Sequence, residues 1–187
     1  MFIDYTAYSS LERIVNNMST VRFELSQALR NQSDARSVLK EEMEMDFPSR
    51  EWAWDNQVNS ENLGYDVRDG SYSMLTIFKK HHDVSDISSH FGKTLSLING
   101  VGGVRYAAIS ALGPKAHIEE HSHNRRHLVF HMLLSDLEGD VCKIICDGNA
   151  KELASPGDSA LFDYSFPHEI FNYSRNDRIN LMIDFKP

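Results

Sequence analysis

Apolar residues recur at helical spacing near the start of the chain, at Leu11, Ile14, Val15, Met18, Val21, Leu25 and Leu29. Ser10 stands before them as an N-cap, so the pattern predicts a helix from 11 to about 30. Ser33 or Asp34 opens a second predicted helix through Leu39 and Met43. It closes before Phe47-Pro48, because the residue preceding a proline leaves the helical region. From 49 to 70 the periodicity vanishes and Trp52 and Trp54 stand among charges. A loop of that length is uncommon inside a compact domain and reads either as a candidate lid or as a segment that its tryptophans anchor.

The residues at 72–78 have strand composition, and 84–98 reads as a helix with Ile87, Phe91, Leu95 and Ile98 on one face, closed by Asn99-Gly100. Beyond it the pattern turns to period two and β-branched residues. Strands are expected at 104–112, 128–134, 141–146, 159–162, 169–173 and 179–185, separated by Gly-Pro, Glu-Gly-Asp, Asp-Gly-Asn, Ser-Pro-Gly-Asp and Arg-Asn-Asp turns. Short, evenly spaced strands after N-terminal helices indicate a mainly β (α+β) chain built on a jelly-roll, cupin-like barrel. The organisation expected is one domain over 1–187, with 1–100 as helical support and candidate lid and 101–187 as the β core.

Composition narrows the classes. A chain of 187 residues, 41% hydrophobic and 25% charged, is long enough for a sizeable core. Its net charge of −8 argues against a nucleic-acid partner, since phosphate binding needs a dense basic face. No apolar run has the length of a membrane span, and the opening Met-Phe-Ile-Asp-Tyr lacks a basic signal-peptide region, so the expected location is the cytoplasm. Cys142 and Cys146, four apart on a predicted strand, share a face but stand about 13 Å from one another, too far for a disulfide. They read as small buried hydrophobes.

Nine histidines are present, five of them at 117, 121, 123, 127 and 131. On an extended segment His121 and His123 point to one side, and His168 follows Pro167 at the entry to a later strand. Imidazoles suit iron, zinc, copper and nickel. A His-X-acid pair plus a distant histidine is the usual plan of non-haem Fe(II) oxygenases. Here His123 occupies the place of the acid, and His121, His123 and His168 are the candidate metal ligands.

From about 100 to 184 the text resembles the aspartyl/asparaginyl β-hydroxylase family of Fe(II)- and 2-oxoglutarate-dependent oxygenases. The matching stretches are Tyr106-Ala-Ala-Ile-Ser110, Gly113-Pro114-Lys-Ala-His117-Ile118-Glu-Glu-His121, His131-Met-Leu-Leu134, Cys142-Lys-Ile-Ile-Cys146 and Gly157-Asp-Ser-Ala-Leu-Phe-Asp163-Tyr-Ser-Phe-Pro-His168-Glu169. Asn172 and Arg178-Ile-Asn-Leu-Met-Ile-Asp184 continue it. The resemblance implies a double-stranded β-helix with iron on His121 and His168 and a 2-oxoglutarate carboxylate on Arg178, assisted by Ser110 and His131. A guanidinium suits that task because it gives a carboxylate two parallel charge-assisted hydrogen bonds.

The departures are as informative. The family often has a glycine or an acid where this chain has His123, and the loop between His121 and His131 is about one residue short. Where relatives acting on aspartyl substrates keep an arginine and a lysine, this chain has Val129 and Ala108. An acidic substrate side chain would then be buried without a partner, which is costly, unless Arg125, Arg126 or His127 supplies the charge.

The expected activity is hydroxylation of an unactivated C–H bond in an amino acid, or in a peptide- or carrier-bound residue. The catalytic group would be His121, His168 and Arg178, with Fe(II), 2-oxoglutarate and O2 consumed to give succinate and CO2. Two alternatives stand beside it. One is a three-histidine cupin-type dioxygenase without 2-oxoglutarate; the other is a non-enzymatic metal- or ligand-binding barrel.

Overall fold

The structure, a computed structural model, describes residues 1–36, 56–57, 67–68, 72–82, 84, 88–124 and 126–187. Among the described residues, three α-helices, Ser9–Asn16 (α1), Met18–Arg36 (α2) and Gly92–Ile98 (α3), accompany twelve strands. These are Phe2–Ile3 (β1), Asn56–Gln57 (β2), Val67–Arg68 (β3), Tyr72–Lys79 (β4), Val104–Leu112 (β5), His117–His121 (β6), Leu128–Leu133 (β7), Cys142–Cys146 (β8), Asn149–Leu153 (β9), Ser159–Asp163 (β10), His168–Asn172 (β11) and Arg178–Phe185 (β12). A major sheet has the order β1-β10-β7-β12-β5-β4-β2, and a minor sheet the order β3-β6-β11-β8-β9. The two sheets are not hydrogen-bonded into one closed barrel. They face each other as the layers of a cupin-like double-stranded β-helix.

The helices lie on the outer face of the major sheet. Leu11, Ile14, Val21, Leu25 and Ala28 pack with Ile109, Phe130, Met132, Leu161, Leu181, Ile183 and Phe185. The opposite face of the same strands, including Leu112, Val129, Leu133 and Ala160, meets Ile118, Cys142, Ile144, Cys146 and Ile170 from the minor sheet. This double coverage explains why β7 is buried at every position and reads as an apolar run interrupted by His131, whereas β8 and β11 alternate. Cys142 and Cys146 are buried free thiols on that inner face.

The N-terminal helices break elsewhere than the periodicity suggests. Asn17 ends α1: its backbone N–H bonds to Ile14 and its side chain donates to the Arg13 carbonyl at 2.8 Å. Its own carbonyl accepts from Thr20 and Val21, which starts α2. An asparagine that bonds local backbone in this way competes with the helix ladder. The helix α2 then continues through Ser33 and Asp34 to Arg36, so neither residue opens a new helix. The expected Leu39–Met43 segment, Trp52 and Trp54 lie outside the described residues; within the expected 49–70 loop, Asn56–Gln57 and Val67–Arg68 are instead short strands paired with β4 and β6. Of the helix expected over 84–98, the described residues show the Ser88 N–H on the Val84 carbonyl at 2.9 Å, a 3₁₀ turn at Ser89–Phe91 and then α3; Ile87 lies outside the described residues. Glu24 holds that junction, accepting from the N–H of Lys93 and of Thr94 (both 2.9 Å) and from Thr94 Oγ1 at 2.7 Å.

Two further positions join the sheets and close the ends. Buried Asn172 donates to the carbonyls of Leu112, Gly113 and Asn176 (3.0, 2.9 and 2.8 Å) and accepts from Ser174, which ties β11 to the end of β5. Gly103, at φ +73°, accepts from the Lys186 N–H at 3.0 Å, and a Cβ there would collide with the Lys186 carbonyl oxygen.

Candidate metal centre

His121 and His168 are direct cross-strand partners of β6 and β11. A bulge puts them on the inside. Between the pairs His168↔His121 and Ile170↔Ile118, β11 advances two residues and β6 three, so Ile118 and His121 both face inward despite their odd spacing. His123 follows two residues after the end of β6, held by its N–H to the Tyr164 carbonyl at 3.1 Å. The ring centroids stand 4.2 Å apart for His121 and His168, 5.2 Å for His121 and His123, and 5.6 Å for His123 and His168. One ligand nitrogen from each lies within 4.8 Å of the others, close enough for a single ion to take all three.

The donor chemistry fits an ion. Nδ1 of His121 faces the Glu119 carbonyl at 2.7 Å, and Nδ1 of His168 faces the Phe166 carbonyl at 2.9 Å. A carbonyl only accepts, so each Nδ1 carries the proton and each Nε2 keeps its lone pair for a metal. Burial lowers both pKa values to about 4; for His168 the Phe166 contact opposes the shift and the neighbouring histidines add to it. Both rings are therefore neutral at pH 7, the form that binds metal. His117 is not part of the cluster: it points to the other face of β6, bonded to Glu169 at 2.9 Å and stacked on Phe171.

The cluster opens into a cavity of about 250 Å³ whose wall includes Tyr72, Met74, Val129, His131, Met182 and Asp184. Cross-strand pairing arranges its major-sheet side in rows: Asp184 with Tyr106 and Val129, then Met182 with Ala108 and His131, then Asn180 with Ser110 and Leu133, then Arg178 with Leu112. Arg178, Ser110 and His131 thus share the inner face. Arg178 and Ser110 do not themselves line the cavity, but they share its two lower rows with Tyr72 and Met74, which do: Tyr72 pairs with Leu112 and Met74 with Ser110.

Those lower rows are unusual for a protein interior. Arg178 is fully buried, and among the described residues no carboxylate forms an ion pair with it. Burial lowers its pKa, while Cys142 and Tyr72 partly oppose the shift. Among the described residues Ser110 Oγ, itself buried, has no hydrogen-bond partner. His131 is held well below its ordinary pKa by burial, then by Arg178 and His168, and is neutral. Asn180, with its amide oxygen turned to the guanidinium, accepts from Arg178 Nη1 at 3.3 Å and also from Nη2; the same amide lies 3.4 Å from His131 Nδ1. A buried cation without a carboxylate and a hydroxyl without a partner among the described residues, in neighbouring rows of one face, are the complement of an anion.

Asn180 and Asp184 carry no role in the sequence reading, yet alternation from Arg178 places residues 178, 180, 182 and 184 on one face. Asp184 accepts from His127 Nδ1 at 2.9 Å, and the Tyr164 hydroxyl stands 3.4 Å from its other oxygen. His127 is therefore drawn to an acid at the cavity rim. Arg126 is exposed, and Arg125 lies outside the described residues.

A cupin-like double-stranded β-helix with three inward histidines at one end of its sheets defines a protein with a candidate mononuclear metal centre. The chain belongs to the aspartyl/asparaginyl beta-hydroxylase family, whose model matches residues 15–187. The match extends beyond the 100–184 stretch that carries the motifs and takes in α2. Family and histidine cluster together indicate a metal-dependent oxygenase.

No curated protein matches the chain by sequence. Among solved structures, the cupin domain of an XRE-family transcriptional regulator from Enterobacter cloacae is 16% identical, with 62% of this chain and 97% of that one covered at a TM-score of 0.42. A predicted oxalate decarboxylase from Thermotoga maritima is 15% identical, with 69% and 97% covered at 0.44. The Cnp3 cupin domain of Schizosaccharomyces pombe is 6% identical, with 65% and 69% covered at 0.44. No helix among the described residues is long and apolar enough to cross a membrane.

Proposed function

We propose that this chain is an Fe(II)- and 2-oxoglutarate-dependent oxygenase that hydroxylates an unactivated C–H bond of an amino acid or amino-acid residue, releasing succinate and CO2. The observation that carries the reading is buried Arg178, without a carboxylate among the described residues and in the row next to the unsatisfied Ser110 hydroxyl, beneath the three-histidine cluster. Iron held by His121, His123 and His168 would supply oxygen activation, with two of the reducing electrons coming from decarboxylation of the keto acid and two from the substrate C–H bond.

The chain's own share is orientation and exclusion of water. The Glu119 and Phe166 carbonyls fix the ligand tautomers of His121 and His168. Arg178 offers its fork to the distal carboxylate, Ser110 Oγ donates to a remaining lone pair, and neutral His131 offers a further N–H. Met74, Val129, Ile118 and Met182 keep the space above dry and apolar.

His123 favours one second reading, a three-histidine dioxygenase that needs no keto acid; the buried, acid-free Arg178 has no task in it. The first test is anaerobic Fe(II) binding by equilibrium dialysis. His121→Ala and His168→Ala should each abolish stoichiometric binding and His117→Ala should leave it intact. Full iron loading of His168→Ala would remove the metal assignment.

A further inference from the structure

A second, wider cleft of about 620 Å³ adjoins the metal cavity and shares Met74, Tyr106 and Asp184 with it. Its charges are divided. Lys79, Lys80 and Arg105 line the outer cleft alone, while Asp184 stands on the boundary between the two spaces. Asp184 is positioned by His127 and Tyr164, and the Tyr164 ring packs 4.6 Å from that of His123. Inward of Asp184 the wall turns apolar, with Val129, Met182, Ile118 and Ile170. Among the described residues no lysine or arginine lines that inner space, and Ala108 and Val129 occupy the nearby rows.

An acid at the junction, cations outside it and an apolar interior match one kind of molecule. We infer that the outer cleft binds the head group of a free α-amino acid as a zwitterion, the ammonium on Asp184 and the α-carboxylate on Arg105 with Lys79 and Lys80. An uncharged substrate side chain then passes Tyr106 toward the three histidines. The inference rests on the proposed oxygenase reading and adds the substrate class to it. Each contact is a charge-assisted hydrogen bond. A peptidyl residue presents amides at both places and forfeits both contacts; an acidic side chain meets no lysine or arginine among the described inner wall residues, and the acid there, Asp184, is taken by the ammonium.

The test is calorimetric titration of the full chain loaded with Co(II) and 2-oxoglutarate. The titrants are L-valine, L-leucine, L-isoleucine, L-methionine, L-proline and L-phenylalanine, each free, N-acetylated and as the carboxamide. At least one free amino acid should bind with a Kd below about 1 mM, and both derivatives should bind at least about ten-fold more weakly. Asp184→Asn and, on the exposed rim, Arg105→Gln should each weaken the free amino acid by a similar factor. The derivatives change the ligand and leave the protein unaltered, so they test the two contacts even where a variant folds poorly. Binding of Co(II) and 2-oxoglutarate with no free amino acid bound overturns the inference and leaves the oxygenase reading standing. Equal or tighter binding of an N-acetyl compound overturns it in favour of a peptidyl substrate. Failure to bind Co(II) removes the oxygenase reading and the inference with it.

Discussion

Replacing Arg178 with methionine should act in opposite directions on stability and on co-substrate binding. The side chain is fully buried, and among the described residues its only side-chain hydrogen-bond partner is the Asn180 amide. Exchanging a buried charge for an apolar chain of similar length commonly gains about 1–4 kcal/mol. Leaving the Asn180 oxygen unsatisfied costs about 1–3 kcal/mol. The sum centres near zero, between about 2 kcal/mol against the variant and about 3 kcal/mol in its favour. Were Arg178 half of a structural ion pair, its removal would instead cost about 3–5 kcal/mol. In a chain of this size each kcal/mol moves the thermal midpoint by about 2–4 °C, so the two cases separate by roughly 10 °C. Binding of 2-oxoglutarate should weaken by about 2–5 kcal/mol, which is roughly 30- to several-thousand-fold. Circular-dichroism melts of the metal-free protein and calorimetry of the Co(II)-loaded protein read the two quantities separately. A midpoint lowered by 10 °C together with unchanged 2-oxoglutarate affinity would falsify the reasoning.

Gly103→Ala should destabilise by about 2–4 kcal/mol, because it combines a positive φ with a backbone clash; Gly102→Ala, with open space around its Cβ position, should stay within about 1 kcal/mol in the same urea titration. Asn172→Ala strands the Leu112 and Gly113 carbonyls and should cost at least about 3 kcal/mol, read as a lower urea midpoint at constant slope. Stability of the metal-free protein should also depend on pH. His121 and His168 bind protons less readily folded than unfolded, so their contribution is present above about pH 6.5 and is lost as pH falls toward 4. His168→Ala should flatten the melting midpoint between pH 7 and 4.5, and an unchanged slope would contradict the burial argument.

Much of the β core was legible because strands covered on one face alternate and strands covered on both faces run apolar. Turn residues then separated them, as at Gly157-Asp158 and Gly148. The strands β6 and β9 escaped notice: His117–His121 and Asn149–Leu153 are polar, and their place comes from pairing with β11 and β8. The break at Asn17 was hidden because the apolar stripe continues across it, and only side-chain hydrogen bonding marks the interruption. Spacing brought His121 and His123 to one side, and the bulge that turns Ile118 inward with His121 has no signal in the amino-acid sequence. Asp184 was legible as the fourth position on the inner face of β12, but its pairing with His127 depends on the adjacent β7 strand and the loop before it.

The central claim is metal-dependent oxidation coupled to a keto acid, and its most direct measurement is succinate formed against O2 consumed by the Fe(II)-loaded chain supplied with 2-oxoglutarate and a bound amino acid. The expected result is succinate in equal amount to O2, lost in His168→Ala and strongly reduced in Arg178→Met. Oxygen uptake without succinate would contradict the keto-acid reading in favour of a three-histidine dioxygenase, and stoichiometric iron with no oxygen uptake would contradict the enzyme reading itself.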